Sequence, residues 1–166
     1  MKKLQTQRGF TLIELMIAIS IVAILSAIAF PFFGNFIANR NLKSAARDIA
    51  GDIYDLRERA SSEDRWYQVT FNQGANNYTL QRCTAIGSAA CAGYDAAYST
   101  KSPSSFGSGI VITSASFNGI AVLQMQPRGI VSPATGGNVQ LRNSKGSTAN
   151  INVNLMGRAN VTWTLN

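Results

Sequence analysis

Apolar residues follow two regimes along this chain. From Phe10 to Phe30 they form one nearly unbroken run, FTLIELMIAISIVAILSAIAF, without Gly or Pro and with a single charge, Glu14. As a helix rising 1.5 Å per residue, that run measures about 31 Å, the thickness of a bilayer's hydrocarbon core. Pro31 and Gly34 follow, and the lost hydrogen bond at proline predicts a helix kink at Pro31. Apolar residues then recur at three- and four-residue steps: Leu42, Ala45, Ala46, Ile49, Ala50, Ile53, Leu56 and Ala60. This is one stripe of an amphipathic helix, with mixed charges on the other face. Ser61-Ser62-Glu63-Asp64 marks its end.

After Arg65 the period shortens to two. Strands are expected over 66–72, 77–82, 109–113, 120–126, 129–131, 138–142, 149–155 and 158–165, with alternation at Ile151, Val153, Leu155 and at Val161, Trp163, Leu165. Gln73-Gly74, Asn118-Gly119, Gly136-Gly137, Lys145-Gly146 and Met156-Gly157 are expected to supply turns between them. The small, polar stretch 84–106 reads as a long surface loop. The pattern predicts an α+β fold: a long N-terminal helix, apolar in its first half, packed on a C-terminal antiparallel β-sheet domain of about seven or eight strands. It divides the chain into a short N-terminal segment (1–9), a transmembrane helix (10–38) and a globular domain (39–166).

Charge orients this layout. Lys2, Lys3 and Arg8 precede the apolar run, so the N-terminus is expected to stay in the cytoplasm and the remainder to be exported. Ser26-Ala27-Ile28-Ala29 imitates a signal-peptide cleavage site, but the run is long for a removable core. Cys83 and Cys91 then lie in an oxidising compartment, where a disulfide between them is expected to contribute about 2–3 kcal/mol. The chain holds 15 basic and 8 acidic residues, net +7. From Trp66 onward the basic residues are Arg82, Lys101, Arg128, Arg142, Lys145 and Arg158, against Asp95 alone. That excess serves solubility, or it attracts a polyanion such as DNA. Arg142, Lys145 and Arg158 are the candidate contacts, provided their strands are neighbours.

Catalysis finds little support. There is no histidine, so the commonest general base and metal ligand is missing, and two cysteines do not make a structural zinc site. No enzyme activity, cofactor or metal is expected.

Glu14 needs a reason, because a carboxylate inside a bilayer helix costs about 2.5–3.5 kcal/mol. Cleavage between Gly9 and Phe10 would create an α-amino group four residues away. Gly9-Phe10-Thr11-Leu12-Ile13-Glu14-Leu15 behind a short basic leader resembles the prepilin signature of type IV pilins and type II secretion pseudopilins. The resemblance implies cleavage after Gly9 by prepilin peptidase, methylation of Phe10, and pairing of Glu14 with a neighbouring subunit's N-terminus during assembly. Pro31 stands where members of that family bend the helix. The long helix reaching Arg57-Glu58-Arg59-Ala60, the β-rich domain and the late Gly157-Arg158 resemble the GspH/FimT/FimU group of minor pilins and pseudopilins.

Three roles follow from that resemblance. The first is a minor pilin that primes or caps type IV pilus assembly, with other pilins as partners. The second is an H-type pseudopilin of a type II secretion system. The third is a pilus-associated DNA-binding subunit, for which the group's Gly-Arg-x-Arg pattern is half present, Asn160 replacing the second arginine.

Overall fold

The computed structural model describes residues 10–87, 90–132 and 134–166, with the backbone alone at 29–32. The chain divides into two units, Met1–Phe36 and Ile37–Asn166. Helix α1, Leu12–Ser62, contributes to both.

In the first unit α1 opens with Thr11, whose Oγ1 accepts the Glu14 N–H at 3.3 Å, and so caps an amide that has no partner inside the helix. Ser20 and Ser26 donate to the carbonyls four residues back, at 2.8 and 2.7 Å, which satisfies their hydroxyls within an apolar helix. The large apolar side chains from Phe10 to Ile28 are all more than half exposed. By length and composition, no single helix among the described residues is apolar enough to cross a membrane. Leu12–Ile28 meets that mark only together with the continuation from Phe33. The side chain of Pro31, where the kink is expected, lies outside the described residues.

In the second unit the expected stripe is the buried face. Leu42, Ala45, Ala46, Ile49, Ile53, Leu56 and Ala60 are at most 1 % exposed. They share one core with side chains from two antiparallel sheets. The strands are β1 (Arg65–Asn72), β2 (Asn77–Ile86), β3 (Ser99–Lys101), β4 (Val111–Ser116), β5 (Val122–Met125), β6 (Val131–Ser132), β7 (Gly137–Arg142), β8 (Thr148–Val153) and β9 (Ala159–Thr164). One sheet has the order β3-β2-β1-β5-β6 and the other β4-β7-β8-β9. Asn76, in the β1–β2 turn, joins them: its side chain donates to Ile110 O at 2.8 Å and accepts from Ile112 N at 2.9 Å.

Strand β9 runs antiparallel to α1. Tyr54 donates to the Ala159 carbonyl at 3.0 Å, the Arg47 guanidinium lies 5.8 Å from the Trp163 ring, and Asn39 donates to Asn166 O at 3.1 Å. Ascending positions on the helix thus meet descending positions on the strand. The Arg47 contact is a cation–π pair, which rewards a cation held over the negative face of the ring.

The structure corrects the expected surface loop at 84–106. Strand β2 continues to Ile86, Ser99–Lys101 forms β3 against Tyr78–Leu80, and Pro103–Phe106 makes a short 3-10 turn. Ser-Thr-Lys has no hydrophobic alternation, so only its pairing partner makes it a strand. Leu155, expected as a strand residue, sits 44 % exposed in the β8–β9 turn.

Candidate functional site

Phe10 and Glu14 begin the apolar helix, and both are exposed. Glu14 lies in the first turn, where the positive end of the helix dipole favours a carboxylate. Gly9 lies outside the described residues, and with it the Gly9–Phe10 peptide bond.

Cys83 and Cys91 are joined, with Cα atoms 5.9 Å apart. Cys83 is buried within β2, and the loop it closes is held from both sides. Thr84 N donates to Gly93 O at 3.1 Å, and Arg65 Nη1 donates to the carbonyls of Cys83 and Thr84 at 3.2 Å each.

A polar staple ties α1 to the first sheet. The Tyr78 ring is buried, and its one hydroxyl proton is shared between Asp52, at 2.6 Å, and Asp48, at 3.0 Å. The Lys101 ammonium reaches the same pair, at 2.7 Å from Asp52 and 3.4 Å from Asp48. Asp48 and Asp52 are one helical turn apart, so both face the strands. Burial, then the Asp52 hydrogen bond, push the Tyr78 phenol well above the usual tyrosine range. Burial alone would lower the Lys101 pKa, but its bond to Asp52 and the two carboxylate charges outweigh that, and the net direction is up.

The three basic residues singled out from sequence do not meet. Arg142 ends β7, and Lys145 sits in the β7–β8 turn, whose Asn143 donates to Asn39 at 2.9 Å near the start of α1 in this unit. Arg158 lies at the opposite end of the same sheet, one six-residue strand away, in the turn between β8 and β9. At about 3.3 Å per residue, that separation is near 20 Å. The expected cluster at the hairpin tip is thus corrected by topology: β7 and β9 do flank β8, but these arginines occupy opposite ends.

Arg158 has other company. A β-carbon at Gly129 would stand 3.3 Å from Arg57 Cγ, and one at Gly157 would stand 3.0 Å from Arg57 Cδ. The Arg57 stem is therefore wedged between two turns whose glycines adopt φ of +71° and +65°. The residues just before Gly129 and just after Gly157 are Arg128 and Arg158, both exposed. Arg57 Nε is buried without a hydrogen-bond partner among the described residues, and none of the three arginines forms an ion pair there. Sequence reading missed Arg57 because it sits in a charge-balanced stretch of helix. The available signal was the two Gly-Arg or Arg-Gly turns, whose meeting needs the fold.

Residues 4–30 match the prokaryotic N-terminal methylation motif. Part of the chain aligns with known pilins. Fimbrial protein EcpC of Eikenella corrodens is 40% identical over 62 residues, which are 37% of this chain and 40% of that protein. Type IV major pilin protein PilE1 of Neisseria gonorrhoeae is 38% identical over 68 residues, 41% of each. In its methylation motif and its pilin alignments the chain is type IV pilin-like. It spans about half the length, or less, of the curated pilins it matches.

The fold of this pilin-like chain is shared with two solved structures. The type IV minor pilin FimU of Pseudomonas aeruginosa superposes with a TM-score of 0.53 at 15% identity, over 76% of this chain and 92% of that one. The minor pseudopilin EpsH of the Vibrio cholerae Type 2 Secretion System gives 0.53 at 12% identity, over 75% and 97%.

Proposed function

We propose that this pilin-like chain is a minor subunit of a type IV pilus. Prepilin peptidase cuts after Gly9, Phe10 is methylated, and the apolar half of α1 anchors the subunit in the inner membrane with the globular unit in the periplasm. Assembly transfers the helix from lipid to the fibre core among other pilins, so its apolar surface never meets water. Pairing of Glu14 with a neighbour's Phe10 amine then offsets the cost of the buried carboxylate. The observation that carries this reading is the methylation motif opening a helix that is exposed and apolar all round, continuous with a FimU-like domain. The equal likeness to EpsH supports the pseudopilin alternative. Deletion separates them: loss of twitching with intact protein secretion supports the pilus, and the reverse supports the secretion system.

The Arg57–Arg128–Arg158 corner supports DNA contact as an added property of the pilus subunit. Three phosphate contacts give a slope of about −3 in log K against log salt, so binding is weak and lost as salt rises. Titration of duplex with the detergent-solubilised chain tests this. Arg128→Gln and Arg158→Gln each flatten the slope by about one, and Lys145→Gln, at the far end of the sheet, leaves it unchanged. Equal binding by all four proteins would leave the positive charge to solubility.

A further inference from the structure

Where α1 ends, an open cleft of about 570 Å³ lies between the helix, the first sheet and the segment leading into β3. Its walls are Arg59 near the end of α1, Glu63 just after it, Tyr67 on β1, Arg82 on β2, and Asp95 and Tyr98 ahead of β3. Two guanidinium and two carboxylate groups line it, so its charges cancel. Each is engaged but not saturated. Arg59 Nε holds Asp55 at 2.7 Å, Arg82 Nη2 holds Asp95 at 3.2 Å, and Glu63 Oε2 accepts the Tyr67 hydroxyl at 2.6 Å. A guanidinium carries five N–H donors and a carboxylate about four acceptor sites, so donors and acceptors remain side by side. The Tyr98 ring is 48 % exposed in the cleft, braced by buried Tyr67 in an edge-on contact with centroids 6.3 Å apart. Burial raises the pKa of both phenols, so the walls keep neutral tyrosines through the ordinary pH range.

The chemistry of these walls narrows the ligand. A lone anion or cation meets as much repulsion as attraction, and an apolar molecule would strand four charged groups without water. A neutral molecule with hydroxyls on its rim and C–H groups on one face suits all the walls at once. Its hydroxyls donate to Glu63 and Asp95 and accept from Arg59 and Arg82, while its C–H face lies against the electron-rich face of Tyr98. We propose that this cleft binds a neutral pyranose ring, the terminal unit of an oligosaccharide. A second cleft on the helix, lined by Tyr54, Arg57, Glu58, Ser61 and Ser62, lacks this set: the Tyr54 hydroxyl is spent on Ala159, and no second aromatic stands by.

The inference is independent of the pilus reading and fails separately from it. The test is saturation-transfer NMR on the full chain, in a detergent without a sugar headgroup, against neutral methyl glycosides and disaccharides. Millimolar binding is expected, with transfer concentrated on the C–H protons of one ring face, as suits a cleft open to water. Tyr98→Leu removes the ring and weakens binding about fivefold. Glu63→Gln leaves an acceptor for the Tyr67 hydroxyl and weakens binding by a similar factor, so it carries the test if Tyr98→Leu fails to fold. Absence of transfer from every glycoside, full transfer in Glu63→Gln together with folded Tyr98→Leu, or stronger transfer to free arginine than to any sugar would overturn the proposal.

Discussion

At Gly137 a β-carbon would run into the Phe117 ring and the Ser116 carbonyl, because β7 there lies directly beside the end of β4. One neighbour is backbone and the other a fully buried ring, so neither moves aside easily. Gly137→Ala should therefore cost about 1–3 kcal/mol, read as a lowered midpoint in thermal or denaturant unfolding. Glu14 is a different case, since its carboxylate bonds to nothing among the described residues. Removing its charge eases insertion into lipid by about 2.5–3.5 kcal/mol, so Glu14→Ala should reach the membrane at least as well as the wild type. The expected defect is in fibres: sheared pili should contain several-fold less of the variant, by immunoblot, and normal incorporation would refute the proposed role. Both residues bear on what sequence reveals. Glu14 stands out because a charge interrupts an apolar run. Gly137 reads from sequence only as half of a Gly136-Gly137 turn, whereas it opens β7, and its constraint is the position of β4 well upstream.

The staple of Asp48, Asp52, Tyr78 and Lys101 governs how α1 is held by its sheet. Asp52→Ala removes the shorter bond to the Tyr78 hydroxyl and the closer partner of Lys101. The expected loss is about 1–3 kcal/mol, from the shorter charge-assisted phenol bond and the closer ion-pair partner removed together. The staple also sets the alkaline limit. The folded state holds Tyr78 neutral and Lys101 charged beyond the pH at which unfolded chains lose those protons, near 10 and 10.4. Raised folded pKa values give stability that is complete below those points and falls as pH climbs through and above 10. Tyrosinate absorbance from Tyr78 should therefore appear together with loss of β-sheet circular dichroism, and ionisation of every tyrosine in a still-folded domain would contradict this. Periodicity made the helix stripe and most strands visible, since each element buries one face. Strand β3 was invisible: its three polar residues are placed by their ladder to Tyr78–Leu80 and by Lys101 reaching the helix.

For the whole molecule, maturation should change both mass and charge. Cleavage after Gly9 removes Lys2, Lys3 and Arg8, taking the formal net charge from +7 to +4. N-terminal mass spectrometry of membrane-extracted protein should find methylated Phe10, whereas an intact Met1 or a cut near Ala29 would refute the processing. In the same material Cys83 and Cys91 should resist alkylation until reduced, and reduction should cost the globular unit about 2–3 kcal/mol. These features were legible because they are local in the chain. The arginine corner and the tyrosine cleft were not, since each gathers side chains from the helix, strands and distant turns.

Within the globular unit, Asn39 lies two residues after Ile37, where α1 enters it, and is bound both to the Asn166 carbonyl and to Asn143 of the β7–β8 turn. Asn166 N in turn donates to Ser147 Oγ at 3.0 Å. Mechanical tension applied along the helix would enter the domain at this knot. Because α1 lies antiparallel to β9, the load would fall on the side-chain contacts along their length together, in shear, before it could peel any strand from its sheet. A subunit fastened in this way resists a steady pull with many weak bonds at once, whereas one held at a single point would open like a zip.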